Sequence, residues 1–288
     1  MVNIYMIEKL KIFKELLDTG WNIKQAALKA GIPPKNVHYY INKFNWKASG
    51  KYRKFLINDT YFDVIDTEAK AYFLGFFIAD GYLSVEKKIT TKSTSFRICM
   101  NNSIDDLEVV KRFQEEISLY KEVEYRERIL SNIIRKKQVC FRFSSKYMFD
   151  ILVNKYNIIP NKTKNISFEF PFNEIPEKLV RHFIRGFFDG DGSFSDNNLR
   201  LISTSLVFVN QLCDIIEKEF GVLRNIYTVQ GKTVVYYSFR FNSFRHKYSF
   251  ISRLHTYFYE DSTIFLSRKK DKIENYLNTV VTRQNNIY

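Results

Sequence analysis

The sequence predicts an α+β protein made of two tandem copies of one unit behind a small all-α headpiece, and three observations carry the prediction. The apolar segment Leu74-Gly75-Phe76-Phe77-Ile78-Ala79-Asp80-Gly81 recurs, altered, as Ile184-Arg185-Gly186-Phe187-Phe188-Asp189-Gly190-Asp191-Gly192. Behind each copy the same order of strand-like and helix-like patterns follows. Ahead of both, residues 1–54 hold eleven Lys and Arg against three Asp and Glu and contain a helix-turn-helix pattern.

That pattern occupies residues 23–42. Ala27 is the small residue where two helices cross, Gly31 makes the turn, and Val37 returns to the core, with Ala26, Ala30, Ile32 and Tyr40 in the other apolar places. Pro33 or Pro34 opens the second helix. This leaves Lys35, Asn36, His38 and Tyr39 to reach a groove, and Lys43 and Lys47 to meet phosphates. The expected limits are a headpiece over 1–50 and a basic linker over 51–65.

Copy one is expected over 66–165 and copy two over 166–288. Asp66 or Thr67 can cap the first glycine-bearing helix, and Pro176 can open the second. Gly81 and Gly192 are expected to end these helices in the left-handed conformation. Residues 96–98 read as a strand and 104–113 as a helix; 199–202 and 206–216 repeat that order. The near-identical runs Phe141-Arg142-Phe143-Ser144-Ser145 and Phe239-Arg240-Phe241-Asn242-Ser243 then occupy matching places. Helix, strands, helix, strands, helix suits an antiparallel sheet with helices on one face. Strand alternation gives that sheet an apolar back of Phe141, Phe143, Phe239 and Phe241, and a basic front carrying Arg142 and Arg240 that can lie on DNA.

Over 288 residues, 45 Lys and Arg against 31 Asp and Glu leave a net charge of +14. An anionic partner follows, and the abundance of Tyr and Phe favours nucleic acid. No amphipathic segment suits an acidic membrane and no run spans one, while Glu8 and Lys9 interrupt any signal peptide. Cys99, Cys140 and Cys213 are odd in number and widely spaced, which excludes a C-x-x-C zinc site and a disulfide framework. The expectation is a soluble, intracellular (cytoplasmic) protein.

The repeated helices carry two local anomalies. A mid-helix glycine costs about 1 kcal/mol relative to alanine, and a carboxylate at a helix C-terminus opposes the dipole. Gly75 with Ala79, and Gly186 with Gly190, form a flat stripe on each helix. Packing stripe on stripe brings Asp80 and Asp191, 111 residues apart in sequence, side by side. A hard cation is the simplest compensating charge for such a pair, and it suits phosphodiester hydrolysis.

These two segments resemble the signature helices of the LAGLIDADG homing endonucleases in their single-chain, two-repeat form, over roughly residues 66–288. The resemblance implies two pseudo-symmetric αββαββα repeats forming a saddle, with the signature helices at their interface and the sheets in the DNA major groove. It implies a monomer that cleaves both strands of double-stranded DNA with Mg²⁺ or Mn²⁺ at a long, asymmetric site. Carried over residue by residue, it makes Asp80 and Asp191 the catalytic, metal-binding acids. The motif's earlier acid is Asp189 in copy two but is replaced by Ile78 in copy one. Lys162 and Lys269 occupy places open to a catalytic basic group. An RNA maturase acting on intron RNA, or a non-catalytic DNA-binding regulator, are the alternatives on the same scaffold. The chain lacks the Cys or Ser start and the His-Asn finish of an intein.

Overall fold

The computed structural model describes residues 4–18, 21, 23–46, 57–88, 93–119, 122–127, 129–130, 133–134, 137–160, 166–195, 198–221, 225–231, 233–240 and 247–285. The chain divides into two units, residues 1–58 with 114–122 and residues 59–113 with 123–288. In the first, α1 (Ile4–Asp18), α2 (Ile23–Lys29) and α3 (Pro34–Lys43) enclose a small core of Leu10, Phe13, Leu17, Ala26, Ala27, Ala30, Ile32, Val37 and Ile41. Alanines at three of these places let the helices approach closely. Gly31 makes the turn between α2 and α3 at φ +68°, a conformation that costs glycine nothing. Pro33 sits at the N-cap of α3 and Pro34 in its first turn.

The second unit holds both copies. Copy one runs α4 (Glu68–Asp80), β1 (Gly81–Lys88), β2 (Ser93–Ser103), a 3-10 turn over Ile104–Asp106, α5 (Leu107–Glu116), β3 (Glu124–Arg126), β4 (Ile129–Leu130), β5 (Ile133–Ile134), β6 (Gln138–Ser144) and α6 (Lys146–Asn154). The α5 helix crosses the unit boundary after Phe113. Copy two runs α7 (Glu177–Asp191), β7 (Ser193–Ser195), β8 (Asn198–Ser203), α8 (Leu206–Phe220), β9 (Ile226–Gln230), β10 (Val235–Arg240), α9 (Lys247–Tyr259) and α10 (Ser267–Asn285). The four-stranded sheets are antiparallel, with the orders β1-β2-β6-β3 and β7-β8-β10-β9. One topology therefore occurs twice, as the duplicated sequence predicts. Copy one adds the short β4–β5 hairpin, and copy two ends with α10.

Local chemistry explains the boundaries. Thr67 caps α4, its Oγ1 accepting from the Lys70 N–H at 3.3 Å, while Asp66 pairs with Lys70 one turn on. Ser145 and Ser205 cap α6 and α8 in the same way. The α4 helix is buried on every side from Ala71 to Ala79, as a helix without a polar face must be. Residues 59–65, within the stretch read as linker, pack into copy one: Tyr61, Phe62 and Ile65 are buried, and the Tyr156 hydroxyl donates to the Phe62 carbonyl at 2.8 Å.

Gly81 and Gly192 do not adopt the expected left-handed stop. Both are extended, at φ −77°, ψ 158° and φ −82°, ψ 162°, because the chain passes directly toward a strand without reversing. Their lack of a side chain matters for space. A Cβ would lie 2.2 Å from the Phe77 ring at Gly81 and 2.3 Å from the Phe188 ring at Gly192.

Candidate functional site

Helices α4 and α7 meet backbone to backbone. A Cβ on Gly75 would stand 2.0 Å from the Phe183 carbonyl oxygen, and one on Gly186 would stand 2.0 Å from that of Tyr72. One turn nearer the C-termini, a Cβ on Gly190 would meet the Ala79 Cβ at 2.2 Å and the Asp80 Oδ2 at 3.4 Å. The stripes thus interlock as their spacing predicts. Asp80 is set against the residue that precedes Asp191.

The two acids differ in setting. Asp80 is half-buried, and its Oδ2 accepts from the Asn102 Nδ2 at 2.7 Å. Asn102 lies on β2 and is itself buried, and its Oδ1 has no hydrogen-bond partner. Asp191 is exposed and borders a cavity of about 350 Å³ lined also by Ile78, Ala79, Phe187, Phe208 and Tyr236. Among the described residues no three His, Cys, Asp or Glu side chains cluster as a metal cage. Two oxygen donors at a rim suit a cation that keeps waters and takes its remaining ligands from substrate phosphate.

The motif's earlier acid has another task. Asp189 is fully buried, and its Oδ2 accepts from the Tyr72 hydroxyl at 2.8 Å and from the Leu266 N–H at 2.9 Å. Burial pushes its carboxyl up to about 6, against the opposing pull of those hydrogen bonds and of Lys269 and Arg185. Lys269, in the first turn of α10, is also buried. Its Nζ donates to the carbonyls of Phe188 at 2.6 Å, Gly192 at 2.7 Å and Gly190 at 3.2 Å. A cation therefore occupies the negative end of α7, adding a donor to the Phe188 carbonyl, which also accepts from the Gly192 N–H at 2.8 Å, and meeting the carbonyls of Gly190 and Gly192 beyond it. Burial lowers the ammonium to about 8, and Asp189 pulls it back up.

Two further cross-links join the copies. Arg268 holds Asp106 with two bonds, at 2.7 and 3.0 Å. Arg185, fully buried on α7, reaches Glu68 at the start of α4 at 2.6 Å, the Phe258 and Ile264 carbonyls at 2.7 and 3.0 Å, and His182 at 2.7 Å. Burial drives the His182 imidazole down to about 4, helped by the Arg185 charge.

The sheet faces divide as expected: Phe141, Phe143 and Phe239 are buried, while Arg142 and Arg240 stand half-exposed on the opposite face. In the headpiece His38, Tyr39 and Lys43 are exposed on α3, Asn36 is half-buried, and the Lys43 Nζ lies 5.4 Å from the centre of the Tyr39 ring. Lys35 is helical, and its side chain lies outside the described residues, as do Lys47, Lys162, Phe241, Asn242 and Ser243. The structure thus brings Asp80, the end of α7 and Lys269 together. Sequence reading missed Asn102, Arg185, Asp106 and Arg268. Arg185, set between Ile184 and Gly186 on the stripe side of the motif, is the only one of these that left a trace.

Residues 178–272 match the family model described as a LAGLIDADG-like domain. The match covers α7 to the start of α10, within copy two. The chain is also 29% identical over 178 residues to the ATP-dependent DNA helicase Hel308 of Methanocaldococcus jannaschii, which covers 60% of this chain and 13% of that protein. It therefore spans only a small part of that relative's length. Among solved structures it is similar to I-DmoI in complex with DNA and Ca, at 16% identity and a TM-score of 0.45, covering 66% of this chain and 90% of that one. It is similar to the I-LtrWI LAGLIDADG homing endonuclease bound to target DNA, at 14% identity and a TM-score of 0.46 over 75% and 91% of the two chains. Meganuclease I-SmaMI bound to uncleavable DNA gives 13% identity and a TM-score of 0.48 over 75% and 90%.

Proposed function

We propose that this chain is a site-specific endonuclease that hydrolyses both strands of double-stranded DNA, acting as a monomer, with a headpiece over 1–50 that adds a helix-turn-helix contact. The observation that carries the reading is the glycine contact between α4 and α7, which sets the Asp80 carboxylate against the residue before Asp191. Carboxylates are disfavoured at helix C-termini; Lys269 meets the carbonyls at the end of α7 but bonds neither Asp80 nor Asp191, so two acids ending paired helices in a chain of net charge +14 support a bound cation and a polyanion.

Asp80 and Asp191 would hold Mg²⁺ or Mn²⁺, and both are oxygen donors of the kind these ions take. When bound, such an ion polarises a phosphoryl oxygen, lowers the pKa of a water nucleophile and steadies the leaving oxygen. Asn102 fixes the rotamer of Asp80 through its amide, which donates to the Asp80 Oδ2 at 2.7 Å. Lys269 is a positioning residue: with all three donors spent on α7 carbonyls, it fixes the end of the helix that carries Asp191. Lys162 is kept as a candidate basic group on the copy-one side. Arg142 and Arg240 on the sheets, and Lys35, Asn36, His38, Tyr39 and Lys43 on α3, bind DNA.

Incubation with Mg²⁺ and a randomised duplex library, followed by sequencing of cut ends, tests the proposal. An enriched site is expected, and Asp80→Asn or Asp191→Asn should abolish cutting while leaving binding intact. Full cutting by the double variant sinks the assignment. Duplex binding without any cut site would favour the regulator, and preferred binding of intron RNA would favour the maturase.

A further inference from the structure

The outer faces of the two sheets carry their arginines in unlike ways. In copy one, strand register sets Glu86 of β1 on the same face as Arg97 of β2, Arg142 of β6, and Glu124 and Arg126 of β3. Arg97 forms an ion pair with Glu86. Glu124 takes both Arg142, at 3.1 Å, and Arg126, at 3.3 Å. In copy two, Arg200 stands directly opposite Arg240 across β8 and β10, an arrangement of like charges that weakens a sheet on its own. Neither has a carboxylate partner among the described residues. Arg200 donates to the Ser238 hydroxyl at 2.9 Å, Arg240 lies 5.1 Å from the centre of the Tyr227 ring, and the buried Arg240 Nε has no partner. At the place matched to Arg200, opposite Arg142, copy one has Cys99.

We infer that the two copies divide the work on DNA: Arg200 and Arg240 anchor the duplex through phosphate, whereas Glu86 and Glu124 are specificity-determining residues that hold Arg97, Arg126 and Arg142 away from the phosphates of unmatched DNA. The inference rests on the endonuclease reading and goes beyond it by assigning unequal roles to the halves. A phosphate can take an arginine from a carboxylate only by breaking the ion pair and facing the freed anion. A G·C pair instead offers acceptors to Arg at guanine O6 and N7 and a donor to Glu at cytosine N4, so the ion pair is retained while the base pair is read. Discrimination is a difference of affinities, and these carboxylates supply it by weakening the wrong complex.

The experiment compares wild type, the double variant Glu86→Gln with Glu124→Gln, and Tyr227→Glu, by fluorescence anisotropy on a random duplex and on the selected target across a salt series. In the glutamine variant, random-duplex affinity should rise on the order of tenfold or more, and the slope of log affinity against log salt should steepen by about 3, as for three added phosphate contacts. The ratio of target to random affinity should fall. Tyr227→Glu places a carboxylate beside Arg240 and should make the slope shallower by about 1. Unchanged slope and ratio in the glutamine variant, with thermal unfolding as in wild type, overturn this assignment alone. A wild-type protein that binds no duplex overturns the endonuclease reading and this inference with it.

Discussion

Replacing Gly75 or Gly186 by alanine gives a test whose sign is diagnostic. Both residues lie within α-helices, where alanine is intrinsically better by about 1 kcal/mol. With open space at these positions, either substitution would therefore stabilise the protein. Instead, each new Cβ would stand 2.0 Å from a backbone carbonyl oxygen of the opposing helix. Ordinary contact begins near 3.4 Å, so the helices must separate by about 1.4 Å, the difference between those two distances. Backbone cannot rotate away as a side chain can. Overpacking costs about 1–3 kcal/mol and at times more, which exceeds the helical gain. We expect each single variant to lose about 1–3 kcal/mol in urea unfolding and the double variant to lose more. Cutting should fall further than stability explains, because the same separation moves Asp80 away from the end of α7. A Gly186→Ala protein as stable as wild type would show that the helices do not touch there, and the pairing of the acids would lose its basis.

Other perturbations probe the shell around this contact. Arg185→Met leaves Glu68 without its cation and strands carbonyls of Phe258 and Ile264; loss of one partner of a buried pair costs about 3 kcal/mol, read by urea denaturation, and no loss would mean that Glu68 needs no cation. The Asp189 carboxyl sits at about 6 in the folded chain against an ordinary 3.8. The folded state therefore binds more protons between those values, and stability should decline as pH rises from about 4 to 6, by up to about 3 kcal/mol. Asp189→Asn should flatten that decline, and an unaltered pH profile would place its origin elsewhere. In the headpiece, Lys43→Ala should make the salt dependence of DNA binding shallower by about 1, as for one phosphate contact; an identical slope would remove α3 from the interface.

What was legible in the sequence were the features that violate local expectation. A glycine in mid-helix and an acid at a helix C-terminus each cost free energy, so their paired recurrence announced the interlocked helices before any coordinates. Strand alternation likewise told Arg142 from Phe141 and Phe143. The cross-links stayed hidden because each joins residues far apart in the chain, as Glu68 and Arg185 or Asp106 and Arg268 do, and no local pattern records a partner more than a hundred positions away. Gly81 and Gly192 were legible as necessary glycines but not for the right reason. A helix that ends in Asp-Gly suggests a left-handed cap, yet here the chain runs straight on, and a phenylalanine ring one turn back fills the space that a Cβ would need.

The unequal fate of the motif's earlier position follows from what covers each helix. In copy two, Asp189 meets the Tyr72 hydroxyl and the Leu266 N–H, two donors that an apolar residue would leave buried and unsatisfied at about 1–3 kcal/mol each. In copy one, buried Ile78 borders a cavity that it shares with Phe187, Ile158, Phe168 and Phe208 and also with Asp191, where a second carboxylate would lose hydration beside a like charge. Isoleucine and aspartate are thus each the favoured residue at pseudo-equivalent places, and the difference is one of packing. Asp189 is spent on holding the copies together, fully buried and bonded to both. That leaves Asp80 and Asp191, one at the end of each helix and both reaching solvent, as the matched pair on which the chemistry should depend.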